Sequence, residues 1–360
     1  MKFIHLSDIR IGSSSESGTP WENARQTELE GALSRVMDEA VSFDADLVII
    51  TGGLFSHVPT TIELDELNGL LSGFPMIDIV IIAGETDQIK KSSPIQSYSW
   101  AGNIHYVMSG QPERFVLKNI STEITAASVA AYEQASPQAI SEVACRPHPD
   151  SQPIKLAVLR WAEDEDVKNS FYGTNISYVA VGSSTPGNRT IAANAHCPGF
   201  FEPEAMGDNG SHGMLEGVIS ESTGLLEKIE FKPMASASYV PLLIKTNAKT
   251  TAGELEELVE REIMKRGETN IYRLKITGTR NPEESFDLSK VKAVYRISEI
   301  LDETEPEYDF RELFAEHPQD MIGFYISRIL NNKHEMSPVE KKAMFYGLDA
   351  LLHTSVKNEE

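Results

Sequence analysis

Three stretches constrain this chain more than any others: KFIHL at 2–6, ADLVIIT at 45–51 and MIDIVIIAG at 76–84. The last two are aliphatic at nearly every position, so neither alternate set of side chains can face water. Such strands belong inside a sheet covered on both faces, the usual setting of parallel β-structure. The segments between them read as helices. From Glu22 to Phe43 an apolar stripe of Leu29, Leu33, Val36, Met37 and Ala40 recurs at helical spacing, and Pro59-Thr60-Thr61 opens a second helix running to Leu71. The chain therefore starts as alternating strands and helices.

From about residue 104 the texture changes. NIHYVMS, RFVLKN, TEITAAS, KLAVLRW, ISYVAVG, TIAANAH, GMLEGVIS and LLEKIEFKP are short, closely spaced strands, and they imply a second sheet facing the first. Ala135 to Pro153, with Pro137, Pro147, Pro149 and Pro153, reads as a loop on that sheet. YVPLLIKT (239–246), a charged helix from Thr251 to Arg266 and IYRLKITG (271–278) form a smaller strand-helix-strand module, followed by Leu288 to Ile297. Residues 309–331 and 337–353 read as helices. One carries Met321, Ile322, Tyr325 and Ile329 as a stripe, the other Ala343, Met344, Gly347, Leu348 and Leu351.

With 360 residues there is room for more than one core. The expected division is a large domain over 1–235, a small α/β cap over 236–308 and a helical segment over 309–360. The expected fold class is α/β, two facing mixed β-sheets flanked by helices, with the cap and terminal helices appended.

Composition excludes several classes of protein. The formal charge of −22 argues against autonomous binding to nucleic acid, which needs a basic face to neutralise phosphates. No run of about 18 apolar residues is present to cross a bilayer. MKFIHLSDIR holds too short an apolar stretch for a signal-peptide core, so a cytoplasmic protein is expected. The two cysteines, Cys145 and Cys197, offer neither a disulfide framework nor a CxxC zinc site. The acidic runs EDED (163–166) and EILDETEPEYD (299–309), and the acidic helix around Glu254 to Glu262, read as solvated surface.

The strand ends carry the chemical argument. DIRIG (8–12), GGLFSHVP (52–59) and GETD (84–87) each follow a buried strand, at the edge where open α/β sheets build their sites. In order and spacing they resemble the motifs DxHxG, GDxFD and GNHD of the calcineurin-like metallophosphoesterases, specifically the SbcD-like DNA-repair exonucleases. SPIQSYSWAGNIHYV (93–107), HCPGFFEPEAMGDNGSHG (196–213) and YRLKITG (272–278) extend the resemblance over roughly residues 1–330. It implies a metallophosphoesterase sandwich in which the motifs hold two manganese ions, bridged by a carboxylate. Those ions clamp a phosphodiester and acidify an attacking water.

Carried over position by position, that ligand set is mostly gone. Asp8 keeps its place, but the next histidine is Arg10, the bridging aspartate is Gly53 and the second aspartate of GDxFD is Ser56. In the third motif the amide ligand is Glu85 and the histidine that assists the leaving group is Thr86, leaving Asp87. The strand-end histidine aligns with Arg160, and the GHxH pair reads Gly182-Ser183-Ser184-Thr185. A guanidinium roughly 4 Å from a dication repels it by on the order of 8 kcal/mol at an effective dielectric of about 20. The resemblance therefore implies a degenerate member without bound cofactor, with Asp8 and Glu85 as the residual metal candidates.

Two roles remain open for Arg10 and Arg160: they replace the lost ions structurally, or they form a metal-free anion site. A third alternative is an active phosphodiesterase with Asp8, Glu85, Asp87 and His57 around one metal. His57 and His5 otherwise read as solvated and as strand-packing residues, and His105, His196 and His212 match no ligand position. The resemblance also implies an SMC-like coiled-coil ATPase as partner for the C-terminal helices, and a homodimer through the large domain.

Overall fold

The computed structural model describes residues 1–13, 16–131, 133–330 and 337–356. Two compact units, Met1–Tyr239 and Val240–Glu360, make up the chain.

In the first unit the strands are β1 (Lys2–Leu6), β2 (Leu47–Thr51), β3 (Asp78–Ile82), β4 (Ile104–Val107), β5 (Glu113–Leu117), β6 (Thr122–Ala126), β7 (Ile154–Arg160), β8 (Tyr178–Gly182), β9 (Arg189–Ala192), β10 (Ala195–Cys197), β11 (Gly213–Ile219) and β12 (Leu226–Pro233). Its helices are α1 (Glu22–Glu30), α2 (Ala32–Ser42), α3 (Thr61–Ser72), α4 (Pro137–Cys145) and α5 (Asp164–Phe171). They build two six-stranded sheets, ordered β12-β11-β1-β2-β3-β4 and β5-β6-β7-β8-β10-β9. Both are mixed. β1 to β4 run parallel while β11 and β12 pair antiparallel; β6, β7, β8 and β10 are parallel with antiparallel β5 and β9 at the edges.

The period-2 geometry of a strand explains why the aliphatic runs had to be continuous. Phe3, Leu47, Ile49, Val80 and Ile82 point between the sheets and meet Ile124, Leu156, Val158 and Ala180 of the other. Their neighbours Ile4, Leu6, Val48, Ile50, Ile79 and Ile81 point outward into α2 and α3. On the far side Ala157, Leu159, Val179 and Val181 pack with Ile140 of α4 and Val167 of α5. The result is helix, sheet, sheet, helix, with the central strands of each sheet buried on both faces.

The structure corrects the strand assignment. NIHYVMS, GMLEGVIS and LLEKIEFKP supply β4, β11 and β12 of the first sheet, not strands of the second. Alternation shows a strand but not its partner, and β11 pairs with β1 across more than 200 residues of chain. The helix read from Glu22 to Phe43 is two helices separated by Gly31, where the Glu28 carbonyl accepts from Arg35 Nη1 at 3.0 Å. The four-proline stretch is not all loop. Pro137 sits at the first helical position, where its missing N–H costs nothing, and Ser136 caps α4 through Ala139 N.

The second unit has a three-stranded sheet, β13 (Tyr239–Thr246), β14 (Ile271–Arg280) and β15 (Ile297–Pro306), with α6 (Ala252–Arg266) and α7 (Ser289–Val294). Thr251 and Glu254 form a capping box at the start of α6, as Thr60 and Glu63 do for α3. The acidic run at 299–309 is for the most part strand β15. It lies parallel to β14, with Arg273 paired to Glu299 at 2.6 Å and Lys275 to Glu303 at 2.8 Å. The helix expected over 309–331 is α8 (Phe310–Glu316) and α9 (Met321–Leu330), interrupted at Pro318, and α10 is Pro338–Val356. Ile322, Ile326 and Leu348 form their core, while Met321 and Ala343 of the expected stripes are exposed. No helix among the described residues is long and apolar enough to cross a membrane.

Candidate functional site

The carboxyl ends of β1, β2 and β3 meet those of β7 and β8, and the residues there are bound to one another. Asp8 follows β1 in a left-handed conformation, φ 51°, as does Arg10, φ 57°. Two backbone bonds to the end of β2, Asp8 N to Gly52 O (3.0 Å) and Arg10 N to Gly53 O (2.9 Å), hold that turn in place.

Arg160, the last residue of β7, reaches across from the second sheet. Its Nη1 and Nη2 donate to the two carboxylate oxygens of Asp8 at 2.8 and 2.9 Å, a parallel two-pronged pair. Nη1 also donates to the Thr51 carbonyl at 3.1 Å, and Nε donates to Glu85 Oε2 at 2.5 Å. Arg160 is 2% exposed and Asp8 fully buried. Burial works against the guanidinium charge, but Asp8 and then Glu85 outweigh it and hold Arg160 above its ordinary pKa.

Glycines make room for this side chain. A Cβ on Gly52 would come within 2.9 Å of Arg160 Cδ, and one on Gly84 within 3.0 Å of its Nε. Gly53, where the resemblance places a bridging aspartate, has φ +64° and would set a Cβ 2.3 Å from Asp8 Oδ1. No side chain can enter there while Asp8 keeps its place.

The other positions are equally occupied. Asp87 is 1% exposed and accepts backbone N–H groups from Gly84 (2.7 Å), Leu54 (2.9 Å), Gly53 (3.2 Å) and Phe55 (3.3 Å). It ties two loops together. Burial pushes its carboxyl above the ordinary value, with the Gly84 amide the largest opposing pull. Thr86 Oγ1 donates to the Phe55 carbonyl at 2.7 Å. Arg10 pairs with Asp8 at 3.3 Å and with Glu204, and its guanidinium carbon lies 4.4 Å from the centre of the Phe200 ring.

Ser183 and Thr185 bond each other at 2.9 Å, and Thr185 also accepts from Arg189; Ser184 between them is the residue that touches Arg160, at 3.5 Å. The histidines are placed elsewhere. His57 pairs with Glu63 at 2.9 Å and His105 with Asp78 at 2.9 Å, while His212 faces the carbonyls of Phe200 and Asp208. His5 is buried between the sheets with Tyr178 Oη at 2.9 Å and Thr51 Oγ1 at 3.0 Å, and His196 stacks on Tyr178. Burial lowers both imidazoles, His5 to about 3 with His196 assisting.

Sequence reasoning missed Ser7, Glu204 and Phe200. Ser7 donates to Asp8 and Glu204 balances Arg10. Glu204 lies inside the quoted 196–213 loop, but nothing in the chain order says which of its acidic residues comes back to β1.

These residues do not fit a two-metal centre. Asp8 is taken up by two arginines and a hydroxyl, Asp87 by four backbone amides, and position 53 is closed. Among the described residues no group of three or more His, Cys, Asp or Glu side chains is arranged to hold a metal ion. An anion fares no better, since two guanidinium groups already face Asp8, Glu85 and Glu204. Compared with known proteins, the chain matches no family model and no curated protein.

Proposed function

We propose that this chain is a catalytically inactive relative of the SbcD-like exonucleases, with a metallophosphoesterase sandwich that works as an interaction or scaffold subunit rather than as a nuclease. One observation carries the reading: a buried arginine fork grips Asp8, the one metal-ligand aspartate that keeps its motif position, from the strand end where the resemblance expects a histidine. A cation bound there would have to displace a guanidinium that Asp8 and Glu85 both stabilise.

In this reading no cofactor is bound and the protein is cytoplasmic. An SMC-like coiled-coil ATPase docks on the C-terminal helices, where Met321 (71%), Phe324 (68%) and Tyr346 (75%) are exposed, and a homodimer forms through the large unit. Exposed aromatic and methionine side chains of this kind suit a helix-in-groove partner.

The test is metal analysis of the purified full chain after incubation with manganese, alongside hydrolysis of bis-p-nitrophenyl phosphate and of linear duplex DNA. The expected result is no stoichiometric manganese and no turnover above a blank. Two manganese per chain, or hydrolysis that disappears in Asp8→Ala, would overturn the proposal in favour of a remodelled phosphodiesterase.

A further inference from the structure

Away from the strand ends, a cavity of about 640 Å³ opens beside β5, the edge strand of the second sheet, and the segment after α4. Its charge runs against that of the whole chain. Arg114, Lys118, Arg146 and His148 line it against a single carboxylate, Asp150. Glu123 sits behind, paired with Arg114 Nε at 3.2 Å. Arg114 Nη1 donates to the Arg146 carbonyl at 3.0 Å, which fixes the loop against the strand and leaves the Arg146 side chain free to face the cavity. Among the described residues neither Lys118 nor Arg146 has an ion-pair or side-chain hydrogen-bond partner. Arg114 Nη2 is buried without one.

The rest of the lining is Gln152 and the apolar residues Phe115, Val116, Val143 and Pro147. Val116, on the strand face away from the inter-sheet core, and Val143 of α4 form the apolar wall with Pro147, while the Phe115 ring turns to the other face and stacks on His105 at 5.8 Å between centres. Because β5 is terminal in its sheet, its outer backbone N–H and C=O groups also lack strand partners and are available to the edge atoms of a ring. Two unpaired cations beside a preformed apolar wall are the elements of a small-molecule site with one charged end.

We propose that this cavity binds a phosphomonoester carried on a flat ring system, of the nucleoside monophosphate class. Lys118 and Arg146 hold the phosphate dianion, for which one cation alone leaves charge unbalanced. Val116, Val143 and Pro147 take the ring. The cavity is sized for one such molecule, and the acidity of the rest of the chain disfavours a longer polyanion. This inference does not depend on whether the strand-end site is inactive.

The experiment is calorimetric titration of the full chain with AMP, adenosine and inorganic phosphate, repeated with Lys118→Ala/Arg146→Ala. Both side chains are exposed, so the variant is expected to keep the wild-type circular dichroism. AMP should bind saturably, adenosine and phosphate each at least about tenfold more weakly, and the double variant should lose at least about tenfold in AMP affinity. Phosphate binding as tightly as AMP would reduce the site to an adventitious anion contact. Adenosine binding as tightly, AMP affinity unchanged in the variant, or no heat with AMP would each overturn the proposal.

Discussion

Two sets of arginine-carboxylate pairs in this protein look alike in sequence and differ in what they hold together. At the strand ends of the first unit, Arg160 and Asp8 are fully enclosed and satisfy each other's hydrogen bonds. In the second unit, Arg273 and Glu299 meet at 2.6 Å across β14 and β15 with nearly half of each side chain exposed. Water already solvates the second pair, so its formation exchanges one good environment for another. The first pair has no such alternative. Each charge there is tolerable only because the other is present, and distance alone would not have distinguished them.

The largest effect should follow from breaking the enclosed pair. Arg160→Ala leaves Asp8 buried beside Asp87 with no cation but Arg10, and should cost about 3–5 kcal/mol. All three tryptophans, Trp21, Trp100 and Trp161, lie in the first unit, so urea unfolding followed by their fluorescence reads this cost directly. A loss below about 1 kcal/mol would mean that the cluster is not buried as described.

The neighbouring His5 should appear in the pH dependence. Its folded pKa is lowered from 6.5 to about 3 by burial, so the unfolded chain takes up the proton first. The first unit should therefore lose stability as pH falls below about 6.5, at a slope approaching 1.4 kcal/mol per pH unit down to about pH 3. Urea midpoints measured at intervals across that window should flatten in His5→Gln. His196, also lowered, keeps part of the slope in that variant. An equal slope in wild type and variant would place His5 outside the core.

Much of the first sheet was legible because β2 and β3 are aliphatic at almost every position and the strand ends carry turn residues. The capping box at Thr60 and Glu63 likewise announces α3. Arg10 and Arg160 could be picked out by their places in the resembled motifs, and the structure brings both to Asp8. What the sequence withheld is long-range. Nothing local assigns β11 and β12 to the first sheet, or returns Glu204 to Arg10. Local composition misled twice. Prolines concealed α4, although Ser136-Pro137 is a helix start, and the acidic run at 299–309, exposed as read, concealed strand β15 because strand propensity gives little weight to charged residues.

Smaller effects separate conformational strain from steric conflict. Gly53→Ala and Gly18→Ala both force a left-handed alanine, at φ +64° and +81°. That strain costs about 1–2 kcal/mol in either place. Only at Gly53 does the new Cβ also meet Asp8, at 2.3 Å, whereas Gly18 has nothing within 4 Å. Gly53→Ala should therefore be the more destabilising of the two, and equal losses would show that Asp8 can move aside.

The smallest effect should come from Arg273→Ala. The pair it breaks is screened by solvent and ions, so the loss should stay within about 0.5 kcal/mol and vanish in high salt. Hydrogen exchange of the β14 amides is the suitable probe, since that strand carries Arg273 and the second unit has no tryptophan. Protection unchanged in Arg273→Ala would fit the assignment of this pair to the solvated class. A loss of several kcal/mol would instead mean that the ladder along β14 and β15 is enclosed in solution.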